Sequence, residues 1–409
     1  MKHTRFPHPR FIRTVTAVLA GLFLFTGCNA LVTNPPKEGE TFDAPLPGLA
    51  PHLNVMFSQG DGNFDHVFTI KEGLGPLFNH TACAGCHPGD GRGPSSVTFF
   101  RFTVPGGDPL LTGEPQLQQF SIPGVPPETL PSGALTSPRA GPPVFGMGLI
   151  EAIPESEILS REDPGDANGD GISGRANRVP AADFVPVTEV GGRPGLNIGR
   201  FGLKANNTSL LAQVVGAYHQ DIGMTSEYRP VENPNPLGHG VSVGDEVADP
   251  EISAATVLQT VMYLRLLAPP ARGRITPAVT QGEQVFQSIG CATCHVPTMR
   301  TGPHDIPQLS NQDVHLYSDL LLHDLGPELA DGRPDHDATG TEWRTRPLWG
   351  LRLVGRFLGG LPVYLHDART SDLAEAIRLH GGEAQGARDR FLSLSEADRR
   401  ALIAFLNSL

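Results

Sequence analysis

The sequence predicts a mainly α, loop-rich fold built from two similar halves. Three observations carry that prediction. A Cys-x-x-Cys-His pentad occurs twice, at 83–87 and 291–295. The stretches that follow each pentad repeat one another in the same order. Each half closes on apolar residues at three-to-four spacing, over 254–272 and 395–409, which predicts an amphipathic helix. Of 409 residues, 48 are Gly and 39 Pro, so long loops should join short helices in place of a regular bundle or barrel. Hydrophobic residues make up 39%, enough to bury a core. The formal charge of −12 argues against a surface that grips nucleic acid through its phosphates. It suits a basic partner, such as a positively charged electron carrier.

Residues 1–27 read as an export signal. Lys2, Arg5, Arg10 and Arg13 precede a short apolar stretch, 14–26, too short for a membrane helix of ~20 residues. It ends FTGC (25–28), which resembles the lipobox of bacterial lipoproteins, with Phe25 where Leu is usual. Cleavage there would leave Cys28 as a lipid-bearing N-terminus. Asn29 follows, not the Asp that retains lipoproteins at the inner membrane, so the expected place is the periplasm, anchored to the outer membrane. The alternative is an ordinary signal peptide with a chance Cys. Residues 28–50 read as a Pro-rich tether, 51–272 as the first domain and 277–409 as the second.

The pentads account for the other four cysteines. Cys83, Cys86 and His87 form the first; Cys291, Cys294 and His295 form the second. Two thiols on one turn reach the two vinyl groups of a haem, and the next His swings under the iron. A zinc site would use both Cys pairs and leave both adjacent histidines unexplained. The expected cofactors are therefore two covalent c-type haems. A haem motif first and a packing helix last is the order of a cytochrome c domain, so two cytochrome c-like domains are expected.

The repeat extends further. GEQVFQSIGCATCH (282–295) reads as a helix running into the haem site, with GLGPLFNHTACAGCH (73–87) as its counterpart. RAGPPVFGMGL (139–149) parallels RTRPLWGL (344–351), and FGLKANNTSLLAQVVGAY (201–218) parallels YLHDARTSDLAEAIRLH (364–380). Ser395 with Asp398 resembles a helix-capping pattern at the start of the last helix. The first half carries about forty extra residues, an insertion near 153–197. Within it, Asp166, Asn168 and Asp170 followed by Gly171 resemble the first half of a calcium loop, but Asn177 stands where the closing Glu belongs. Calcium and a plain Asx-rich turn both remain open.

These stretches together resemble the di-haem oxidoreductase family, a branch of the bacterial di-haem cytochrome c peroxidase superfamily. GLGPLFNHTACAGCHPGDGRG, DANGDGISGR, GRFGLKA, YSDLLLHDLG and RTRPLWGLRL are among the segments that carry the likeness. The resemblance implies export, two facing haem domains, hydrogen peroxide reduced at the first haem, and electrons passed through the second from a small redox donor protein. It implies His380 as second axial ligand of the second haem, in place of a more usual Met, with His323 and His366 as rivals. No His occurs from 88 to 218, so the first iron should keep an open face unless His219 caps it. The catalytic carboxylate implied by the resemblance falls nearest Asp221, with His219 or Gln220 assisting; Glu151 is a second candidate. A helix-capping or salt-bridge role is the plain alternative for either carboxylate. Lys204 is expected beside a haem propionate. Leu203 stands where the family has Trp, so the two tryptophans, Trp343 and Trp349, are the remaining candidates to relay electrons. Two other functions stay in view: an electron-transfer cytochrome with no substrate of its own, and a redox accessory to iron uptake.

Overall fold

The computed structural model describes residues 42–103, 116–130, 132–232 and 246–409. The export signal, Cys28 and most of the expected tether lie outside them. The described helices are α1 (Pro51–Asp65), α2 (Cys83–Cys86), α3 (Met147–Glu151), α4 (Glu155–Leu159), α5 (Leu210–Ala217), α6 (Ala254–Leu266), α7 (Pro277–Ser288), α8 (Leu373–Arg378), α9 (Gln385–Ser393) and α10 (Glu396–Leu406). The strands are short: β1 (Leu77–Phe78), β2 (Thr98–Thr103), β3 (Gln116–Leu117), β4 (Phe120–Ser121), β5 (Leu135–Ala140), β6 (Arg178–Pro180), β7 (Leu196–Ile198), β8 (Met299–Arg300), β9 (Asp313–Val314), β10 (Leu322–Asp324) and β11 (Glu342–Arg344). All pair antiparallel, in one three-stranded sheet of order β3-β2-β5 and four two-stranded ones. The fold is thus helix- and loop-rich, as composition predicts.

The internal repeat is visible in the packing. In the first half α1 crosses α6, and a methyl added at Gly60 would overlap Gln259 O and Tyr263 Cβ. In the second half α7 crosses α10, and a methyl at Gly282 would overlap Ala401 O. Each crossing needs a glycine because the two backbones touch. Gly282→Ala is therefore expected to destabilise the fold by ~1–3 kcal/mol, the usual cost of overpacking. Thermal unfolding checks this, with Gly386→Ala on α9 as control. There the nearest atoms are the movable end of Arg390, at 3.5 Å, so that change should leave the melting temperature unlowered.

Further along, Phe201 bridges Asn207 and Tyr364 bridges Thr370, so both halves make the same small loop. A capped helix follows each: Ser209 Oγ accepts from Ala212 N at 3.1 Å ahead of α5, and Asp372 Oδ1 accepts from Ala374 N at 2.8 Å ahead of α8. The expected Ser395 cap is present, its Oγ accepting from Asp398 N at 3.1 Å. Where the halves meet, the repeat becomes reciprocal. Gly146 lies under the Trp349 ring, and Gly350 lies under the Phe145 ring. Both glycines have positive φ, +69° and +79°, a conformation that favours glycine. One hydrophobic core runs through the first half and takes in Met299, Leu316 and Leu321 of the second. A smaller core gathers Val279, Phe286, Phe391, Leu402 and Phe405.

Two expectations need correction. The helix before the first pentad is α1, at 51–65; residues 73–82 instead form a loop and β1. The tether does not extend to residue 50. Phe42, Leu46 and Leu49 are buried, and residues 44–46 hydrogen-bond to 266–268 at the end of α6. Prolines suggested an extended linker, but the apolar residues between them dock it.

The extra stretch, 153–197, contributes α4 and β6 and reaches the second half. Arg175 exchanges backbone hydrogen bonds with Leu322 at 3.2 and 2.8 Å, and its guanidinium pairs with Glu342 at 2.5–2.7 Å. No described helix is long and apolar enough to cross a membrane.

Candidate functional site: the two Cys-x-x-Cys-His loops

The first pentad opens into a cavity of about 690 Å³ lined by Cys83, Cys86 and His87. Both thiols are half-buried, and their removal from water pushes their pKa up to about 12. They behave as apolar, protonated groups, unlike an exposed redox thiol. Burial pushes His87 down to about 4, leaving the neutral imidazole that a metal ion requires. Phe64 of α1 packs 6.2 Å from its ring. A methyl added at Gly141 would come within 3.0 Å of the ring.

Asp221 lines the same cavity. It sits in a π-helical turn, Tyr218–Ile222, that extends α5. Such turns are often found at functional sites. Its backbone carbonyl accepts from Asn79 N and His80 N, at 2.7 and 3.0 Å, and so ties it to the loop that carries the pentad. Its carboxylate accepts from Gln116 Nε2. Burial raises its pKa to about 6, against the Gln116 hydrogen bond and the charge of Arg101. Asp221 in turn raises both cysteines, which places its charge beside the attachment points. His219 reaches the cavity too, but its Nε2 is 2.9 Å from Val231 O.

Glu151 is not placed for chemistry. It is 3% exposed and does not line the cavity. Its carboxylate accepts from Leu210 N at 2.8 Å, at the start of α5, and pairs with Arg265 at 2.6 Å. It is a buried capping and salt-bridge group. Lys204 is also committed elsewhere. Its three donors go to Asp331 Oδ1, Arg333 O and Thr339 O, each at 2.7 Å, so none remains for a propionate.

The second pentad has a clearer ligand geometry. His295 Nδ1 donates to Tyr317 O at 3.0 Å, and His380 Nδ1 donates to Ala376 O at 2.8 Å. Each carbonyl fixes the tautomer and leaves Nε2 as the available lone pair, the arrangement usual for metal-binding histidines. Burial lowers His295 to about 4, and the nearby His380 adds to that lowering. These residues fit a haem with two axial histidines. His323 does not compete. Its Nε2 meets Asp319 at 2.9 Å and its Nδ1 meets Glu383 at 2.7 Å, so both nitrogens are spent. The two carboxylates raise it to about 12 against the cost of burial. His366 lies flat on Trp343, with 3.7 Å between ring centroids.

Sequence reading placed the other candidates less well. Asp166, Asn168 and Asp170 form an exposed turn. Asp166 accepts from Gly171 N, Asn168 from Asp170 N, and Asp170 from Ile172 N. Their oxygens serve the backbone, which is the Asx-turn alternative. Trp343 is buried, donates to Leu329 O at 2.8 Å and faces Lys204 and Arg139. Those cations disfavour a positive charge on the indole. Sequence reading also passed over Glu128. This carboxylate is 6% exposed and accepts from Gln118 N at 2.6 Å, behind the Gln116–Gln119 wall of the cavity. Its lone position in a Pro-rich loop gave no periodic signal.

Residues 129–409 match the family described as "Di-haem oxidoreductase, putative peroxidase". The chain belongs to this family. The match contains the second pentad; the first lies before it. Among solved structures, the chain is similar at 14% identity to a hydrazine synthase of Kuenenia stuttgartiensis, over 98% of this chain and 100% of that one, with a TM-score of 0.38. It is similar, also at 14% identity, to a MauG-like protein associated with microbial copper homeostasis, over 92% and 95%, with a TM-score of 0.40. No curated protein matches it.

Proposed function

We propose that this family member is an exported c-type di-haem oxidoreductase that reduces hydrogen peroxide at the first pentad. Electrons would come from a small basic redox protein through the haem held by Cys291, Cys294, His295 and His380. The observation that carries this reading is the half-buried Asp221 carboxylate, sharing one cavity with Cys83, Cys86 and His87. A haem bound there would supply the iron and the electrons, and peroxide with two electrons and two protons yields two waters. Asp221 would take a proton from one peroxide oxygen and return it to the departing one. Gln116 orients that carboxylate, and Arg101 keeps its anion accessible despite burial. The absence of His from 88 to 218 supports an iron with an open face on that side. Export and a lipid on Cys28 complete the proposal, and the −12 charge suits the basic donor.

Electron paramagnetic resonance of the oxidised holoprotein tests the reading. One high-spin and one low-spin ferric signal are expected, and peroxide should perturb the high-spin one first. Two low-spin signals that peroxide leaves untouched would make the protein an electron carrier.

A further inference from the structure

Three arginines that neither pentad nor Asp221 uses, Arg92 and Arg344 buried and Arg346 half-buried, make no hydrogen bond to an acidic side chain. Arg92 follows the first pentad; Arg344 ends β11, and Arg346 lies two residues later in the repeated stretch of the second half. Arg92 is 6% exposed and Arg344 4%. Arg92 Nη2 donates to Leu365 O, and Arg344 Nη1 donates to Arg200 O at 2.8 Å. Both acceptors are neutral carbonyls. Arg92 Nε, Arg344 Nε and Arg346 Nη1 are buried and make no hydrogen bond.

Arg346 also disfavours the charge on the other two. Burial lowers Arg344 to about 9 and Arg346 to about 10, and the charge of Arg346 adds to the lowering at both Arg344 and Arg92. Asp367 and Tyr364 oppose this at Arg92, but only through their charge. The neighbouring buried cations differ. Arg139 and Arg333 hydrogen-bond to Asp335, and Lys204 to Asp331. The fold supplies counter-ions there and withholds them here. A buried guanidinium without an anion is strongly unfavourable, so this cluster calls for an anionic ligand with several oxygens.

We propose that Arg92, Arg344 and Arg346 form the seat for the propionate carboxylates of the haem attached at Cys83 and Cys86. Arg344 lines the cavity of that haem, and Arg92 belongs to its attachment loop. Arg344 and Arg346 come from the second half, so the proposed seat draws on both halves. The seat takes the role first expected of Lys204. It rests on haem loading and not on peroxide chemistry.

The test uses full-length holoprotein and spectroelectrochemical titration of both haems. Arg344→Gln and Arg346→Gln should each keep two haems per chain, because the thioethers hold them. Each should lower the potential of the first haem, since loss of a nearby cation stabilises the ferric form. The second haem should move less, and Arg346→Lys should restore part of the shift. If Arg344→Gln does not fold, Arg92→Gln reads the same quantity. Unchanged potentials in the folded variants, or a shift at the second haem alone, would overturn the assignment. So would a reversible shift of the unmodified holoprotein on adding inorganic phosphate, which would show a seat open to free anions. Peroxide turnover is not read, so loss of the peroxidase reading would leave this result standing.

Discussion

Asp221→Asn is expected to slow reaction with hydrogen peroxide by ~10²–10⁴-fold while leaving both haem spectra nearly unchanged. The substitution keeps the side-chain shape and removes the proton acceptor. The backbone should hold, because the Asp221 carbonyl, not its side chain, receives Asn79 N and His80 N. Burial sets the pH profile. With a pKa raised to about 6, the unmodified protein has its carboxylate ionised at neutral pH and loses it as pH falls through about 6. The peroxide rate should therefore fall on the acid side of about pH 6, and the Asn variant should lack that limb. Stopped-flow mixing with peroxide at several pH values measures both effects. Glu151→Gln is the control. It should leave the peroxide rate intact but lower the melting temperature, because Arg265 then keeps only Glu189 as an acidic partner. Glu128→Gln is the competing variant. If it alone removes the activity, the proton acceptor is Glu128.

The sequence exposes whatever repeats or sits at fixed spacing. The pentads, the closing helices and the Ser395 cap are local patterns, and the structure keeps them. The glycines at 60 and 282 were silent, because close helix approach depends on residues about 120 to 200 positions away. Burial was equally silent. Lys204 looked like a cation awaiting an anion, yet Asp331 and two carbonyls meet it from the other half of the chain. Glu151 looked like a free carboxylate near the haem, yet Arg265 of α6 reaches it. Conversely, Arg344 and Arg346 read as part of a repeat, and only packing shows that they lack partners. Long-range ion pairing decides which charged residues are spent on the fold and which remain for a ligand. A single sequence does not display that.

His380→Ala should convert the second haem from low-spin to high-spin without releasing it. The reason lies in how the two imidazoles are held. Tyr317 O takes the Nδ1 proton of His295 and Ala376 O takes that of His380, so both Nε2 atoms are lone-pair donors at neutral pH. Burial reinforces this by lowering the proton affinity of each ring. His380 is also fixed along the chain. It follows α8, whose N-terminus Asp372 caps, and the next residue, Gly381, donates to Leu325 O at 3.2 Å. Removing its ring opens one axial position while Cys291, Cys294 and His295 still retain the haem. His323 cannot step in without abandoning Asp319 or Glu383. Resonance spectra of the oxidised variant should thus lose the low-spin signal, and added imidazole should restore it by filling the vacated position. The first haem's signal should not change. A persistent low-spin signal without added imidazole would mean that another side chain ligates the second iron.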